Sequence, residues 1–417
     1  MKLHIKNFRS IKQLDLELAP ITVLYGHNGT GKSSVLYAPL TLKNIVVNPD
    51  QNLSEFFNYG FTSLGEFSEV VFDHNQNNEL ELGISLETAS VNLLDHEGAD
   101  YGGYDVEIDY RFACLSNSIG SFKFKTLLHD WDGGTRVSID LMCVATPPDQ
   151  ESNRELISEV KSGKTFVWNG VATNEVAIGH GDVPHDVADG AMKMLNLPTE
   201  ELERVAFVPL GRGFYQPLYS LQKVSPMMAT EQEVTSMLAS DEHLEYKIGR
   251  YMEQILDRDF RVRNRIGSKN FSLNSIDRRT GMGASLVNEG FGVNQLVYML
   301  AKVLHPDSGI VCIEEPEIHL HPTAIRRLAR TLADIVQEEP TKHLIISTHS
   351  EQFILSLLAL VAEDTYSPDN LAIYHVTKKG KESEFQRQQV NENGQVEGGL
   401  ATFMEGELED MKAFLGV

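Results

Sequence analysis

Residues 26–34 read GHNGTGKSS and follow directly on a short apolar run, ITVLY, at 21–25. They contain glycine, four residues of any kind, glycine, lysine and serine, at Gly26, Gly31, Lys32 and Ser33. Glycines let the backbone curl around an anion with its N–H groups turned inward. A helix beginning near Gly31 adds the partial positive charge of its N-terminus. In this pattern Lys32 reaches the β- and γ-phosphates of a nucleotide, and the Ser33 hydroxyl is a ligand for Mg²⁺. His27, Asn28, Gly29, Thr30 and Ser34 fill out the loop. A buried strand before and a helix after are the context the motif requires, so the candidate ligand is a nucleoside triphosphate.

Upstream of the loop, KLHIKNF and KQLDLEL alternate apolar and polar residues as strands do. Downstream, Pro39 is expected to end or kink the helix near Ala38. Residues 68–145 read as an antiparallel sheet, with SEVVFDH, ELELGISLE, YDVEIDYRF, FKFKTLL and VSIDLMCV parted by turn residues. Residues 145–200 are polar and glycine-rich, with one strand expected at KTFVWNG. The 186–257 stretch reads as helical, broken by VPLGRGFYQPLY at 208–219 and resuming in EHLEYKIGRYMEQIL at 242–256. In the last third, GIVCI and HLIIS alternate with the helical TAIRRLARTLADIVQ and EQFILSLLALVAE, a βαβ pattern that predicts a parallel sheet.

The end of GIVCI carries a second chemical signal. It runs into Glu314 and Glu315, then Pro316. An acid at the end of such a strand holds Mg²⁺ in P-loop enzymes, and a neighbouring carboxylate can polarise the attacking water. HLIISTHS repeats the design and ends in Ser347, Thr348 and His349, a histidine placed to hydrogen-bond a γ-phosphate. His319 and His321 have the spacing of metal ligands but lack a third partner, and are expected to shape the turn after the acids.

Composition narrows the rest. With 417 residues the chain has room for two to three domains, and 41% hydrophobic with 23% charged residues is a globular mix. A net charge of −23 repels phosphate backbones and argues against a nucleic-acid coat protein. One basic run stands out, with Arg258, Arg261, Arg263, Arg265, Lys269, Arg278 and Arg279 against Asp259 and Asp277. It reads as outward positions on a strand pair and is the place where DNA would bind. The three cysteines lack disulfide or metal spacing and fit reduced thiols of the cytosol. The start, MKLHIKNFRS, has no apolar signal core, and the longest apolar run, residues 353–362, is about half a membrane span. A soluble, cytoplasmic protein is expected.

GHNGTGKSS, NEGFGVNQ at 288–295, CIEEPEIHLHP and ISTHS, in that order, resemble the ABC-class ATPases of the SMC/RecF/OLD group, as does the opening LHIKNFRSIKQLDLEL. The resemblance covers roughly residues 1–66 and 280–376. It implies ATP and Mg²⁺ as ligands and an α/β fold: an ABC-type P-loop core, a parallel sheet with flanking helices, joined by an antiparallel β lobe and an inserted helical segment. Arg9 and Ser10 would sit near the base and sugar or the α-phosphate, and Asn28 against the γ-phosphate. Glu314 would hold Mg²⁺ in place of the commoner aspartate, Glu315 would be the catalytic base, and EIHLHP would be a dimer-contacting loop. NEGFGVNQ would be a signature loop that caps the γ-phosphate bound by a partner chain, with Gly290 and Gly292 allowing close approach and Asn288 and Asn294 as donors. A Q-loop glutamine is not evident; Glu66 holds the equivalent place.

The expected organisation is an N-terminal ATPase lobe at 1–145, an inserted lobe at 146–260 and a C-terminal ATPase lobe at 261–417. There is no long coiled coil and no acidic cluster suited to a nuclease after His349. The expected function is an ATP-sandwiching homodimer that drives a separate effector, a nuclease or toxin, or a DNA transaction, in DNA repair or antiviral defence. Two alternatives stay open: the nucleotide-binding subunit of a membrane transporter, and a scaffold that binds ATP without hydrolysing it.

Overall fold

The computed structural model describes residues 1–49, 51–91, 104–116, 120–129, 135–144, 157–159, 165–168, 170–171, 173–177, 185–264 and 269–400. The chain opens with a hairpin, β1 (Lys2–Phe8) and β2 (Ile11–Glu17), then β3 (Ile21–Tyr25) and helix α1 (Lys32–Val47). A one-turn helix α2 (Phe67–Val70) precedes four long strands, β4 (Leu80–Val91), β5 (Tyr104–Cys114), β6 (Ser121–His129) and β7 (Thr135–Val144). Short strands β8 (Ile157–Glu159), β9 (Thr165–Trp168) and β10 (Thr173–Ala177) lead to α3 (His185–Glu203). Then come β11 (Ala206–Val208), β12 (Tyr219–Ser220), α4 (Glu231–Ser240) and α5 (Glu242–Leu256). Strands β13 (Arg258–Asn264), β14 (Asn270–Asp277) and β15 (Gly283–Ser285) are followed by α6 (Phe291–Leu304) and β16 (Ile310–Glu314). The last elements are α7 (Pro322–Glu338), β17 (His343–Thr348), α8 (Glu351–Ala362), β18 (Leu371–Lys379) and β19 (Glu382–Gln388).

Contacts divide the chain into two compact units, Met1–Glu17 with Ala38–Arg204, and Leu18–Tyr37 with Val205–Val417. This division does not follow three consecutive segments, because the chain leaves the second unit after Tyr37 and returns to it at Val205. The first unit is built on a six-stranded antiparallel sheet in the order β2-β1-β4-β5-β6-β7. Alternation sets its inner face: Leu3 opposes Ile84, Ile84 opposes Tyr110 and Tyr110 opposes Phe124, and all four are buried. The SEVVFDH stretch, expected as a strand, is instead the α2 turn and a following 3₁₀ turn, because Glu66 and Glu69 form a reciprocal capping box.

The second unit carries a six-stranded sheet, β11-β16-β17-β3-β18-β19, parallel throughout except for its last strand. Strand β3 is central and buried at every residue, as its unbroken apolar sequence requires. Val23, Ile346 and Ile313 lie in one row across three strands and are fully buried, each contributing roughly 1.5–3 kcal/mol. This is the expected α/β core, a mostly parallel sheet with flanking helices. The three-residue β11 falls in a stretch read as helical; a strand so short leaves too little periodicity to detect.

Helix α1 runs through Pro39 rather than ending at Ala38. Its positions from Val35 to Val46 are buried, and its second half is anchored by side chains. The Asn44 Nδ2 group donates to the carbonyls of Glu55, Phe56 and Asn58, and Thr41 shares a hydrogen bond with Tyr59. Tertiary packing here outweighs the hydrogen bond that proline forfeits. Among the described residues no helix is long and apolar enough to cross a membrane. Cys114 and Cys312 are buried free thiols.

Candidate nucleotide site

Strand register brings the sequence motifs together. Leu24 pairs with Ser347 and Tyr25 with Thr348, while Glu314 pairs with Ser347 from the other side. The strands are parallel, so Gly26, Glu315 and His349 all begin at the same C-terminal edge of the sheet. That edge is where open α/β sheets bind ligands.

The glycine loop is closed on its own chain. Gly26, Gly29 and Gly31 have φ of 146°, 74° and 105°, a region where only glycine is at ease. A Cβ on Gly26 would stand 2.1 Å from the Val376 carbonyl oxygen, whereas one on Gly29 would meet nothing within 4 Å. Lys32 Nζ donates to the carbonyls of Gly26 at 2.9 Å and His27 at 2.8 Å, and Thr30 Oγ1 donates to His27 at 2.9 Å. Burial lowers the Lys32 pKa to about 8, against the pull of the Glu315 and Glu317 carboxylates. A buried ammonium facing neutral carbonyls at a helix start fits a phosphate, whose charge would offset that desolvation.

The acids differ in their surroundings. Glu314 Oε2 accepts from the Leu210 amide at 3.1 Å. Glu315 donates its amide to the Ser347 carbonyl at 2.9 Å and has φ of 41°, a left-handed conformation costing roughly 1–3 kcal/mol. His349 Nε2 lies 3.7 Å from Glu315 Oε1, too far for a direct hydrogen bond. Burial holds the His349 pKa below its ordinary value, and the Lys32 charge adds to this, so the ring is neutral at pH 7. The Ser33 hydroxyl and the Glu314 carboxylate are hard oxygen donors that fit Mg²⁺. No cluster of three or more His, Cys, Asp or Glu suited to a metal occurs among the described residues.

The second glycine loop faces outward. Gly290 is the N-cap of α6 without any side-chain cap, and a Cβ there would meet nothing within 4 Å. Asn288 is exposed, and Phe291 is 60% exposed. Gly292 is a packing glycine, since a Cβ would come within 2.4 Å of the His319 carbonyl oxygen. Asn294 is no open donor: it is buried, gives hydrogen bonds to the Phe214 and Leu286 carbonyls and accepts one from the Phe214 amide. His319 bonds Gln295 at 3.2 Å and His321 caps α7, so both shape turns.

Arg9 and Ser10 form the β1–β2 turn of the first unit, where the Arg9 amide donates to the Val70 carbonyl at 2.6 Å. Glu66 is the cap of α2 in that same unit. The basic run is a strand pair as expected, but four of its cations have acidic partners. Arg258 meets Glu289 at 2.7 Å, Arg261 meets Asp259 at 2.8 Å, Arg278 meets Glu253 at 3.0 Å and Arg279 meets Asp277 at 3.8 Å. Arg265 lies outside the described residues.

Two residues at the sheet edge have no chemical role of their own in the sequence reading: Glu317, which opens EIHLHP, and Arg212. Glu317 Oε1 accepts from Thr348 Oγ1 at 2.7 Å and from the His349 amide at 2.9 Å, and burial raises its pKa. Arg212 is buried and donates to the carbonyls of Pro209, Glu314 and Glu315. Its only signal is an arginine inside an otherwise uncharged stretch, VPLGRGFYQPLY.

No curated protein matches the sequence. Among solved structures, an SMC head bound to the C-winged helix domain of ScpA shares the fold at a TM-score of 0.50 and 10% identity, over 93% of this chain and 98% of that one. The SMC head domain of Thermotoga maritima gives 0.42 and 10% identity, covering 93% and 97%. An SMC head with an extended coiled coil, bound to the C-terminal domain of ScpA and derived from Pyrococcus furiosus, gives 0.47 and 8% identity, covering 99% and 98%. The family model for the AAA ATPase domain matches residues 1–159 and 221–354, which include the glycine loop, the second glycine loop, the acid pair and His349. The chain belongs to the AAA ATPase domain family.

Proposed function

We propose that this protein is a Mg²⁺-dependent ATPase whose active form is a two-fold dimer holding two ATP molecules between its subunits. The observation that best supports this reading is the pairing of a closed glycine loop, sharing one sheet edge with both acids and His349, with a Gly290 loop that is open within its own chain. Lys32 and the amides of Gly26–Ser34 bind the β- and γ-phosphates, with Asn28 beside the γ-phosphate. Ser33 and Glu314 would hold Mg²⁺, which when bound would supply neutralising charge to the phosphates. Glu315 accepts the proton of the attacking water, and neutral His349 donates a hydrogen bond to the γ-phosphate. Asn288, Gly290 and Gly292 of the opposite subunit close the site. Loss of the γ-phosphate then loosens the dimer.

The pathway part of the proposal is a separate effector protein, a nuclease or toxin, or a DNA transaction, in repair or antiviral defence. The SMC head of similar fold is itself described as bound to the C-winged helix domain of ScpA, a precedent for a non-identical partner. The test is to mix Gly290→Arg chains with Lys32→Ala chains. Each homodimer is expected to be inactive, and the mixture to recover part of the turnover through one intact composite site. Turnover by either variant alone, at the parent rate, contradicts the shared site.

A further inference from the structure

The segment PLGRGF at 209–214 follows β11 and lies outside the residues that the family model matches. It touches the acid pair and the first turn of α6 at once. Leu210 donates its amide to Glu314 Oε2 at 3.1 Å. Arg212 Nη1 donates to the Glu314 carbonyl at 2.7 Å, and Nη2 donates to the Glu315 carbonyl at 2.8 Å. Phe214 and the Asn294 amide group bond reciprocally, at 2.7 and 2.8 Å. Gly213, at φ of 143°, permits this approach, since a Cβ would stand 2.9 Å from Asn294 Oδ1.

The chemistry of Arg212 is unusual for a packing residue. Its side chain is almost wholly buried, and burial lowers its pKa to about 10, partly offset by the carboxylates of Glu317, Glu314 and Glu315. A buried cation is an expensive way to fill space when an apolar side chain would do. What the planar guanidinium supplies, and an ammonium cannot, is a rigid fork that reaches two successive carbonyls. One of those carbonyls belongs to Glu315, whose backbone is left-handed. Its amide is held by Ser347 and its carbonyl by Arg212, so both sides of the strained residue are clamped. Such conformations persist only where the surroundings over-determine them.

We infer that Arg212 is a positioning residue for Glu315, and that the 209–214 strap ties that position to the first turn of the helix bearing Gly290 and Gly292. The inference rests on the proposed role of Glu315 as the base.

The test compares parent, Arg212→Lys, Arg212→Met, Asn294→Ala, the Arg212→Lys/Asn294→Ala pair and Glu315→Gln. Steady-state kcat, equilibrium ATP affinity and melting temperature are measured for each. Arg212→Lys keeps charge and stem but not the fork. Its kcat is expected to fall roughly 10- to 100-fold while ATP affinity stays within about threefold of the parent. Asn294→Ala should lower kcat as well, and the double variant should fall short of the product of the two effects, as for residues in one network. Parent kcat in Arg212→Lys overturns the inference. So does a loss of ATP affinity as large as the loss of kcat, or failure of both Arg212 variants to fold; each marks a structural peg. Full additivity in the double variant overturns the tie to α6. Glu315→Gln separates the levels: if it turns over like the parent, the base reading itself is wrong. If it is slow while Arg212→Lys is fast, only the positioning role falls.

Discussion

Helices α1 and α6 both begin after glycines, yet their entrances are built in opposite ways. Before α1, the Lys32 ammonium bonds carbonyls of its own loop, and a Cβ on Gly26 would collide with Val376. Before α6, Gly290 has open space around it, no side chain caps the helix, and Phe291 is exposed. The first entrance shares its sheet edge with Glu315 and His349; the second is fixed to its own chain only deeper in, through Gly292 and Asn294. A helix start with uncapped amides and exposed glycine is suited to an anion brought from outside. On the proposed reading, the difference separates a loop that binds within its chain from one that acts on another chain's ligand.

Substitutions should break the two entrances in different measurable ways. The largest effect is expected from Glu315→Gln, which leaves both loops intact: kcat should drop about 10²- to 10⁴-fold with ATP still bound, because an amide cannot take the proton of water. Parent turnover in a phosphate-release assay would remove the base assignment. Gly290→Arg comes next. The position is open within the chain, so folding should be unaffected, and turnover should be lost by about 100-fold without loss of ATP binding. A fall in ATP affinity in titration calorimetry would mean that the loop serves its own chain. Lys32→Ala should do the reverse, weakening ATP binding by roughly 10- to 100-fold through the lost charge-assisted hydrogen bonds.

A pH titration sharpens the contrast without mutation. The Lys32 pKa is about 8 in the folded chain against 10.5 ordinarily. Between those values the unfolded chain holds a proton that the folded chain has released, so this group makes the nucleotide-free protein more stable as pH rises. ATP needs the charged lysine, so its affinity should fall above about pH 8, by up to about tenfold per unit. Affinity flat from pH 7 to about 10 by calorimetry would contradict the role of Lys32. The smallest effect is expected at the basic strand pair. Reversing Arg261 and Arg263 should lower duplex-DNA affinity by no more than about tenfold, and only at low salt. Unchanged binding in a fluorescence-anisotropy titration would leave that face without a nucleic-acid role.

Much of this site is legible in the sequence. The glycine loop, the acids and His349 each sit at a strand end, and strand ends stand out because buried strands are unbroken apolar runs closed by polar residues. Parallel pairing then does the assembly. The rest depends on contacts across long sequence separations. Arg212 is tied to Glu314 over 102 residues, and Phe214 to Asn294 over 80. No periodicity encodes such links. The same reason explains Asn294, which has the place of a ligand donor in its motif and is a buried clasp. Pro39 has the place of a helix end because propensity favours that, but Asn44 and Thr41 anchor the following turns. Strand β11 is too short to show a pattern at all.

The central claim, that two chains complete each site, is tested most directly by the mass of Glu315→Gln in solution. Light scattering is run on this variant without nucleotide, with ADP and Mg²⁺, and with ATP and Mg²⁺. The account predicts the mass of one chain, 46.6 kDa, without ATP and twice that value with ATP and Mg²⁺. It also predicts that adding Gly290→Arg to the same chain abolishes the doubling. A mass that does not respond to ATP, in a variant shown to bind it, would contradict the account and leave the Gly290 loop as an ordinary helix start.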